Sequence, residues 1–196
     1  VIHKQVNRPI AHCGILINAV TRDELENEQG IAHFIEHAIF KGTKKRKAYH
    51  ILNRLDSVGG EIDAYTTKEN TCIYSSFLTE YYDRAIDLIS DILLNSQFPE
   101  REIEKEKEVV LDEINVYLDS PSEQIYDDLE AQVFENHPLG NPILGTVESV
   151  KGFTKKDIEG FIDRNYFAEN MVFSSVGNIS INKLKQKLEK YFALLK

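Results

Sequence analysis

The chain has 196 residues, of which 42% are hydrophobic and 28% are charged, values that fit one large or two small globular domains. Its net charge of −9 would repel a nucleic-acid backbone, so nucleic acid is not an expected partner. No apolar run approaches the roughly 18 residues of a membrane-spanning helix, so a membrane is not an expected partner either. Cys13 and Cys72 are too few for a disulfide framework, and both lie in apolar stretches that predict buried free thiols.

Hydrophobic periodicity and turn residues divide the chain into strands and helices. Strands are predicted over residues 1–5, 13–19, 61–67, 71–78 and 171–176. Helices are predicted over residues 31–40, 49–58, 80–94, 99–118, 122–135, 157–165 and 182–195. Because strands and helices are grouped without strict alternation, the pattern predicts an α+β fold. Since no linker or repeat divides the chain, we expect a single domain over residues 1–196.

The first predicted helix is apolar on almost every side, so it is expected to be buried. After Gly30 its polar residues are His33, Glu36 and His37, a spacing that places all three on one stripe of the helix. A buried carboxylate is costly unless it is paired or bound to a metal, and two histidines one turn apart can bind one Zn²⁺. The order His-x-x-Glu-His is also a metal-hydrolase signature. The segment therefore predicts a zinc site, and the alternative is a polar patch satisfied inside the core.

The long predicted helix over residues 99–118 offers a third zinc ligand. Apolar residues recur along it every seven positions, and the places where intervening apolar residues are expected hold Glu106 and Glu113. Both carboxylates are therefore expected to face inward, Glu113 as the third ligand and Glu106 as a support that fixes a ligand or a loop. The alternative for this pair is a buried salt bridge to lysine or arginine. The apolar neighbours expected around Glu113 are Val109, Val110, Ile114 and Tyr117.

Five segments, in the same order, resemble the pitrilysin/insulinase metallopeptidases, a family that includes the mitochondrial processing peptidases. Residues 30–43, Gly-Ile-Ala-His-Phe-Ile-Glu-His-Ala-Ile-Phe-Lys-Gly-Thr, resemble the family's zinc-binding segment. The other matches are residues 59–66, 106–114, 137–140 and 176–178. The family's third zinc ligand is a glutamate about 76 residues after the second histidine, and Glu113 stands at that spacing from His37. The resemblance extends over essentially the whole chain.

The resemblance implies a zinc-dependent endopeptidase with a mostly antiparallel sheet and helices packed over one face. One Zn²⁺ per chain would be held by His33, His37 and Glu113, and Glu36 would be the base that activates a water molecule.

The substrate would be a peptide or an unfolded polypeptide bound in extended form. It would add to a sheet edge, the mode called β-augmentation. The implied edge residues are Asp63, Ala64, Tyr65 and Thr66. Asp63 stands where the family commonly has asparagine.

A partner is implied as well, because members of the family enclose substrate between two similar halves and this sequence has one zinc motif and no second copy of the fold. We expect an N-terminal half of a longer peptidase, or a subunit that needs a homologous partner, with low activity alone. Self-association is also expected, because a wide apolar face left bare seldom stays solvated. The sequence does not predict the cellular compartment. The cytoplasm is expected if the protein is bacterial, and the mitochondrial matrix if it is eukaryotic.

The sequence leaves three alternatives to a zinc endopeptidase. A non-catalytic family member would bind peptides or scaffold an active partner, and it would be marked by a missing ligand or base. The lyase that cleaves S-ribosylhomocysteine shares His-x-x-Glu-His, but it would need Cys13 or Cys72 as the third ligand. A structural zinc domain would need four protein ligands, of which three are evident. The basic run over residues 41–47 is predicted to be a solvated loop.

Overall fold

A five-stranded sheet organises residues 1–195, which are the residues that the computed structural model describes. The strands are β1 Ile2–Gln5, β2 Ile10–Ile17, β3 Glu61–Thr66, β4 Thr71–Leu78 and β5 Met171–Gly177. Their order across the sheet is β1-β5-β2-β4-β3. β1 runs parallel to β5, and the other neighbouring pairs are antiparallel. The expected α+β class with a mostly antiparallel sheet is confirmed.

The two faces of the sheet differ in burial because side chains alternate along each strand. In β2, Cys13 and Ile15 face the core, where the helices pack. His12 and Leu16 face the opposite side of the sheet, which the helices leave uncovered. Cys72 is only half-buried and pairs with Leu16 on that side, so the prediction that both thiols are buried was wrong for Cys72. The apolar stretch gave no indication of which of its two alternating sets faces the core.

Eight α-helices lie within the described residues. They are α1 Ile31–Ala38, α2 Ala48–Asp56, α3 Tyr82–Asn95, α4 Glu100–Leu118, α5 Pro121–Val133, α6 Val147–Gly152, α7 Lys155–Asn165 and α8 Ile181–Tyr191. The predicted helix over residues 31–40 is α1 continued by a 3-10 turn, Ile39–Lys41, and its apolar residues are buried. No helix in the described part of the chain is both long enough and apolar enough to cross a membrane.

Some predicted bounds were wrong. β2 begins at Ile10, three residues before the predicted strand, and α8 ends at Tyr191. α6 was not predicted, because six residues are too few to show helical periodicity. Its start does carry a local signal, a capping box between Thr146 and Ser149.

Candidate metal centre

α1 and α4 bring together the three residues predicted as zinc ligands. His33 Nε2 lies 3.7 Å from Glu113 Oε2, and His37 Nε2 lies 3.5 Å from the same oxygen. The three possible ligand atoms all lie within 4.8 Å of one another. Among the described residues, Cys13 and Cys72 do not belong to this group.

The donor set and its spacing fit Zn²⁺. Two ligand atoms at about 2.0 to 2.1 Å from one tetrahedral ion lie roughly 3.4 Å apart, close to both observed separations. Burial, and secondarily the charge of His37, lowers the pKa of His33 to about 4, so this imidazole is neutral near pH 7. A metal binds the neutral imidazole, so the site needs no proton release from His33 there.

Glu36 lies on the same stripe of α1 but its carboxylate is not part of the three-residue group. Its Oε2 has no hydrogen-bond partner within residues 1–195. Burial raises the pKa of Glu36, and the nearby hydroxyl of Thr66 opposes that rise. The carboxylate is therefore half-buried beside the possible ligands, with one oxygen free to accept a proton.

Glu106 is buried and contacts two residues at once. Its Oε2 lies 3.5 Å from Nδ1 of His37, and its Oε1 lies 2.8 Å from Nζ of Lys41. The salt bridge to a lysine, left open by the sequence, is therefore present together with a contact to a predicted ligand. This placement suits the supporting role predicted for Glu106.

Glu113 is more exposed than predicted. The side chain of Glu106 is 7% exposed, but that of Glu113 is 42% exposed, and the residue Val109 is 48% exposed. The reason is the pitch of a straight helix, which drifts by about 20° per heptad from a strict seven-residue repeat. Along α4 the buried positions run from Glu106 and Val110 to Ile114, so Glu113 is rotated away from the buried stripe.

The predicted substrate residues Asp63, Ala64, Tyr65 and Thr66 all lie in β3. This strand is at one edge of the sheet and pairs only with β4 among the described strands. α1 packs directly against β3, so the edge runs past the helix that carries the two histidines.

Two further contacts fix the start of α1. The carboxylate of Glu24 accepts hydrogen bonds from the backbone N–H groups of Gly30 (2.9 Å) and Ala32 (3.0 Å). Gly30 has φ +87° and Gly145 has φ +75°, and a Cβ at Gly145 would lie 2.3 Å from the carbonyl oxygen of Gln29. These contacts dock the loop before α6 onto the beginning of the zinc-motif helix.

Sequence reasoning missed the contributions of Glu24 and Lys41 to this site, and it also missed the ion pairs of Arg46. Glu24 was predicted only as part of an acidic loop, although an acidic residue just before a helix can stabilise the N–H groups of its first turn. Lys41 and Arg46 belonged to the run predicted to be a solvated loop, which was wrong for both. Lys41 is paired with Glu106, and Arg46 is paired with the acids Asp87 and Asp91 of α3.

The fold carries a possible His-His-Glu metal-ligand group, and comparison with known proteins gives the family. Residues 1–147 match the model of the insulinase family, peptidase family M16, and residues 152–196 match the model of the peptidase M16 inactive domain. The chain therefore belongs to peptidase family M16, which confirms the resemblance.

Individual relatives agree with this assignment. An uncharacterized zinc protease from Rickettsia felis is 40% identical over 186 residues, covering 93% of this chain and 45% of that protein. The mitochondrial-processing peptidase subunit beta of Caenorhabditis elegans is 36% identical over 186 residues, covering 95% of this chain and 41% of that subunit. The crystal structure of a protease from Helicobacter pylori has a TM-score of 0.93 at 25% identity, covering 99% of this chain and 47% of that one. The chain thus spans less than half the length of these relatives.

Proposed function

We propose that this chain is the zinc-binding half of an endopeptidase that hydrolyses peptide bonds in extended polypeptides. The observation that carries the proposal is the convergence of His33, His37 and Glu113 beside the free carboxylate oxygen of Glu36. The names of the relatives, zinc protease and mitochondrial-processing peptidase, support the same chemistry.

In this proposal His33, His37 and Glu113 hold one Zn²⁺, which when bound supplies a Lewis acid that polarises a carbonyl and lowers the pKa of water. Glu36 accepts the proton of the water that attacks the scissile carbonyl, and it then delivers that proton to the leaving amine. Its raised pKa suits it to hold the proton between the two steps.

The substrate is positioned by the backbone of β3. Alternate residues within 63–66 direct backbone N–H and C=O groups to the unpaired side of this edge strand, to which an extended peptide can add as a further strand. The N–H of Ala64 donates to Oδ1 of Asp63 at 2.9 Å, and a bound peptide would replace that contact. Because α1 packs against β3, a peptide on this edge passes close to Glu36. Backbone pairing is independent of side chains, so it accommodates many sequences.

The test is a matched pair of isosteric variants. Glu36→Gln should keep one Zn²⁺ per chain and lose peptide hydrolysis by about 100-fold or more, the scale of general-base catalysis. Glu113→Gln should weaken zinc binding by about 10-fold or more, because it removes a ligand. Metal analysis and a peptide assay measure both. Full activity in Glu36→Gln, or unchanged zinc affinity in Glu113→Gln, would refute the proposal.

A second candidate is a non-catalytic subunit that binds peptides. The match of residues 152–196 to the inactive-domain model is the observation that favours it. The zinc motif lies in the other matched segment, residues 1–147, and its ligands and base are all present. A protein that binds zinc and peptide without any turnover, with a second half supplied, would establish this candidate instead.

A further inference from the structure

We propose that Lys41 is a positioning residue of the metal centre. It holds one oxygen of Glu106 so that the other oxygen fixes the ring of His37, whose Nε2 then faces Glu113. This inference rests on the metal site of the proposed function and adds a residue to it.

Lys41 lies close to the histidines of α1 along the chain. It ends the 3-10 turn that continues α1 and stands four residues after His37. Residues four apart in a helical segment lie on the same side, one above the other. Both side chains therefore reach the same stretch of α4, where Glu106 lies.

A chain of three contacts links Lys41 through Glu106 and His37 to Glu113. Lys41 Nζ lies 2.8 Å from Glu106 Oε1, and Glu106 Oε2 lies 3.5 Å from His37 Nδ1. At the far side of the ring, His37 Nε2 lies 3.5 Å from Glu113 Oε2. A carboxylate beside one ring nitrogen of a histidine helps to orient the ring when the other nitrogen binds a metal.

Glu106 is almost fully buried. A carboxylate that is almost fully buried is costly without a cation, and within residues 1–195 Lys41 is the lysine or arginine that contacts it. Glu102, one turn earlier on α4, is paired with Lys105 at 2.8 Å. Without Lys41 the carboxylate of Glu106 would rotate toward solvent, and Oε2 would leave the ring of His37.

The alternative is that Lys41 has a purely structural role, in which its salt bridge stabilises the packing of the end of α1 against α4 without affecting the metal site. Such a role predicts a lower unfolding temperature for the metal-free protein but no change in zinc affinity. A positioning role predicts a change in zinc affinity that exceeds any change in stability. The two roles therefore separate on a readout other than activity.

The experiment measures zinc affinity by competition with a chelator, together with thermal unfolding of the metal-free protein. Lys41→Met should weaken zinc binding by about 10-fold to 100-fold, the range found for residues that support a metal ligand. Lys41→Arg keeps the cation and should restore affinity to within about 3-fold of the unsubstituted protein. Lys45→Met is the matched control, because Lys45 is exposed in the same basic run.

A double substitution makes the test independent of stability. Glu106→Gln keeps an oxygen toward His37 without a buried charge, so adding Lys41→Met to it should cause no further loss of zinc affinity. This comparison also serves if Lys41→Met alone fails to fold. A further loss in the double variant would overturn the role of Lys41.

The outcomes distinguish this inference from the proposed function. Unchanged zinc affinity in Lys41→Met, with binding abolished by His33→Ala, would overturn the role of Lys41 and leave the metal site standing. No zinc binding by the unsubstituted protein would overturn both.

Discussion

His33, Glu36 and His37 come from little more than one turn of helix, yet their surroundings differ. His33 is buried, and its lowered pKa keeps it neutral. Glu36 is half-buried with one free oxygen, and His37 is held by contacts on both ring nitrogens. One stripe therefore combines a possible ligand, His33, that is neutral near pH 7 with an acid whose proton affinity is raised.

The two cysteines test whether a thiol contributes to the metal site. Cys13→Ser and Cys72→Ser should each keep zinc affinity within about 3-fold, well below the loss expected for a ligand, because neither thiol lies in the metal-ligand group. A chelator competition on both variants measures this. Loss of the metal in either one would show that a thiol takes part in the metal site.

The same thiols should differ in reactivity. Burial raises the pKa of Cys13 to about 12, so its reactive thiolate is scarce, whereas Cys72 is half-buried on the uncovered sheet face. A thiol reagent should therefore label one site per native chain and two in denaturant. Mass spectrometry of the labelled peptides assigns the native site, and equal native labelling of both cysteines would contradict the described burial.

At the scale of elements, the position of α1 depends on what holds its first turn. Glu24 accepts from two N–H groups there, and the loop at Gly145 lies against Gly30. Because both histidines are on α1, a tilt of this helix would move both possible ligands relative to Glu113.

The titration of Glu24 should be visible in stability. Burial raises the pKa of Glu24 from 4.5 to about 7, so the folded protein binds more protons than the unfolded chain between these values. The free energy of unfolding should therefore decrease as pH rises through this window. Glu24→Gln lacks this contribution, so unfolding by urea near pH 5 and near pH 7.5, on metal-free protein, should show a smaller decrease. Glu26→Gln, at an exposed acid of the same loop, should behave as the unsubstituted protein; equal slopes in all three would contradict the prediction.

The glycine contact offers a second test of the same helix start. Gly145→Ala should lower the free energy of unfolding by about 1 to 3 kcal/mol, because alanine is strained at φ +75° and its Cβ would meet backbone atoms. Gly152→Ala is the control, since nothing lies within 4 Å of a Cβ at that position. Urea unfolding compares them, and equal stability of the two variants would argue against a tight contact between the loop and α1.

The elements show what the sequence could and could not predict. The predicted stripe of α4 placed Glu106 correctly, but a seven-residue repeat could not predict that Ile114 would take the buried position beside Glu113. Lys41 and Arg46 formed part of a basic run, and charge alone does not predict that acids from α4 and α3 will face them. Such pairings depend on contacts between elements distant in sequence.

At the scale of the whole molecule, the helices of the described residues cover one face of the sheet and leave the other exposed. The uncovered face carries exposed apolar side chains, and β3 leaves an unpaired edge beside α1 in the described part of the chain. Leu16, Val172 and Val176 are among the exposed residues of that face. Relatives more than twice as long as this chain have further residues that could cover such surfaces.

We expect full activity to require a second homologous half. Donors that stabilise the transition state are worth about 100-fold to 1,000-fold in turnover, and a site enclosed from one side lacks those that a second half would supply. Adding the remainder of the protein, or a homologous subunit, to this chain should therefore increase peptide hydrolysis by that order. The control is the same addition to the Glu36→Gln chain, which should stay inactive because the base belongs to this half. An isolated chain that is fully active and unchanged by the addition would contradict the requirement, and activity restored to Glu36→Gln would place the reaction in the other half.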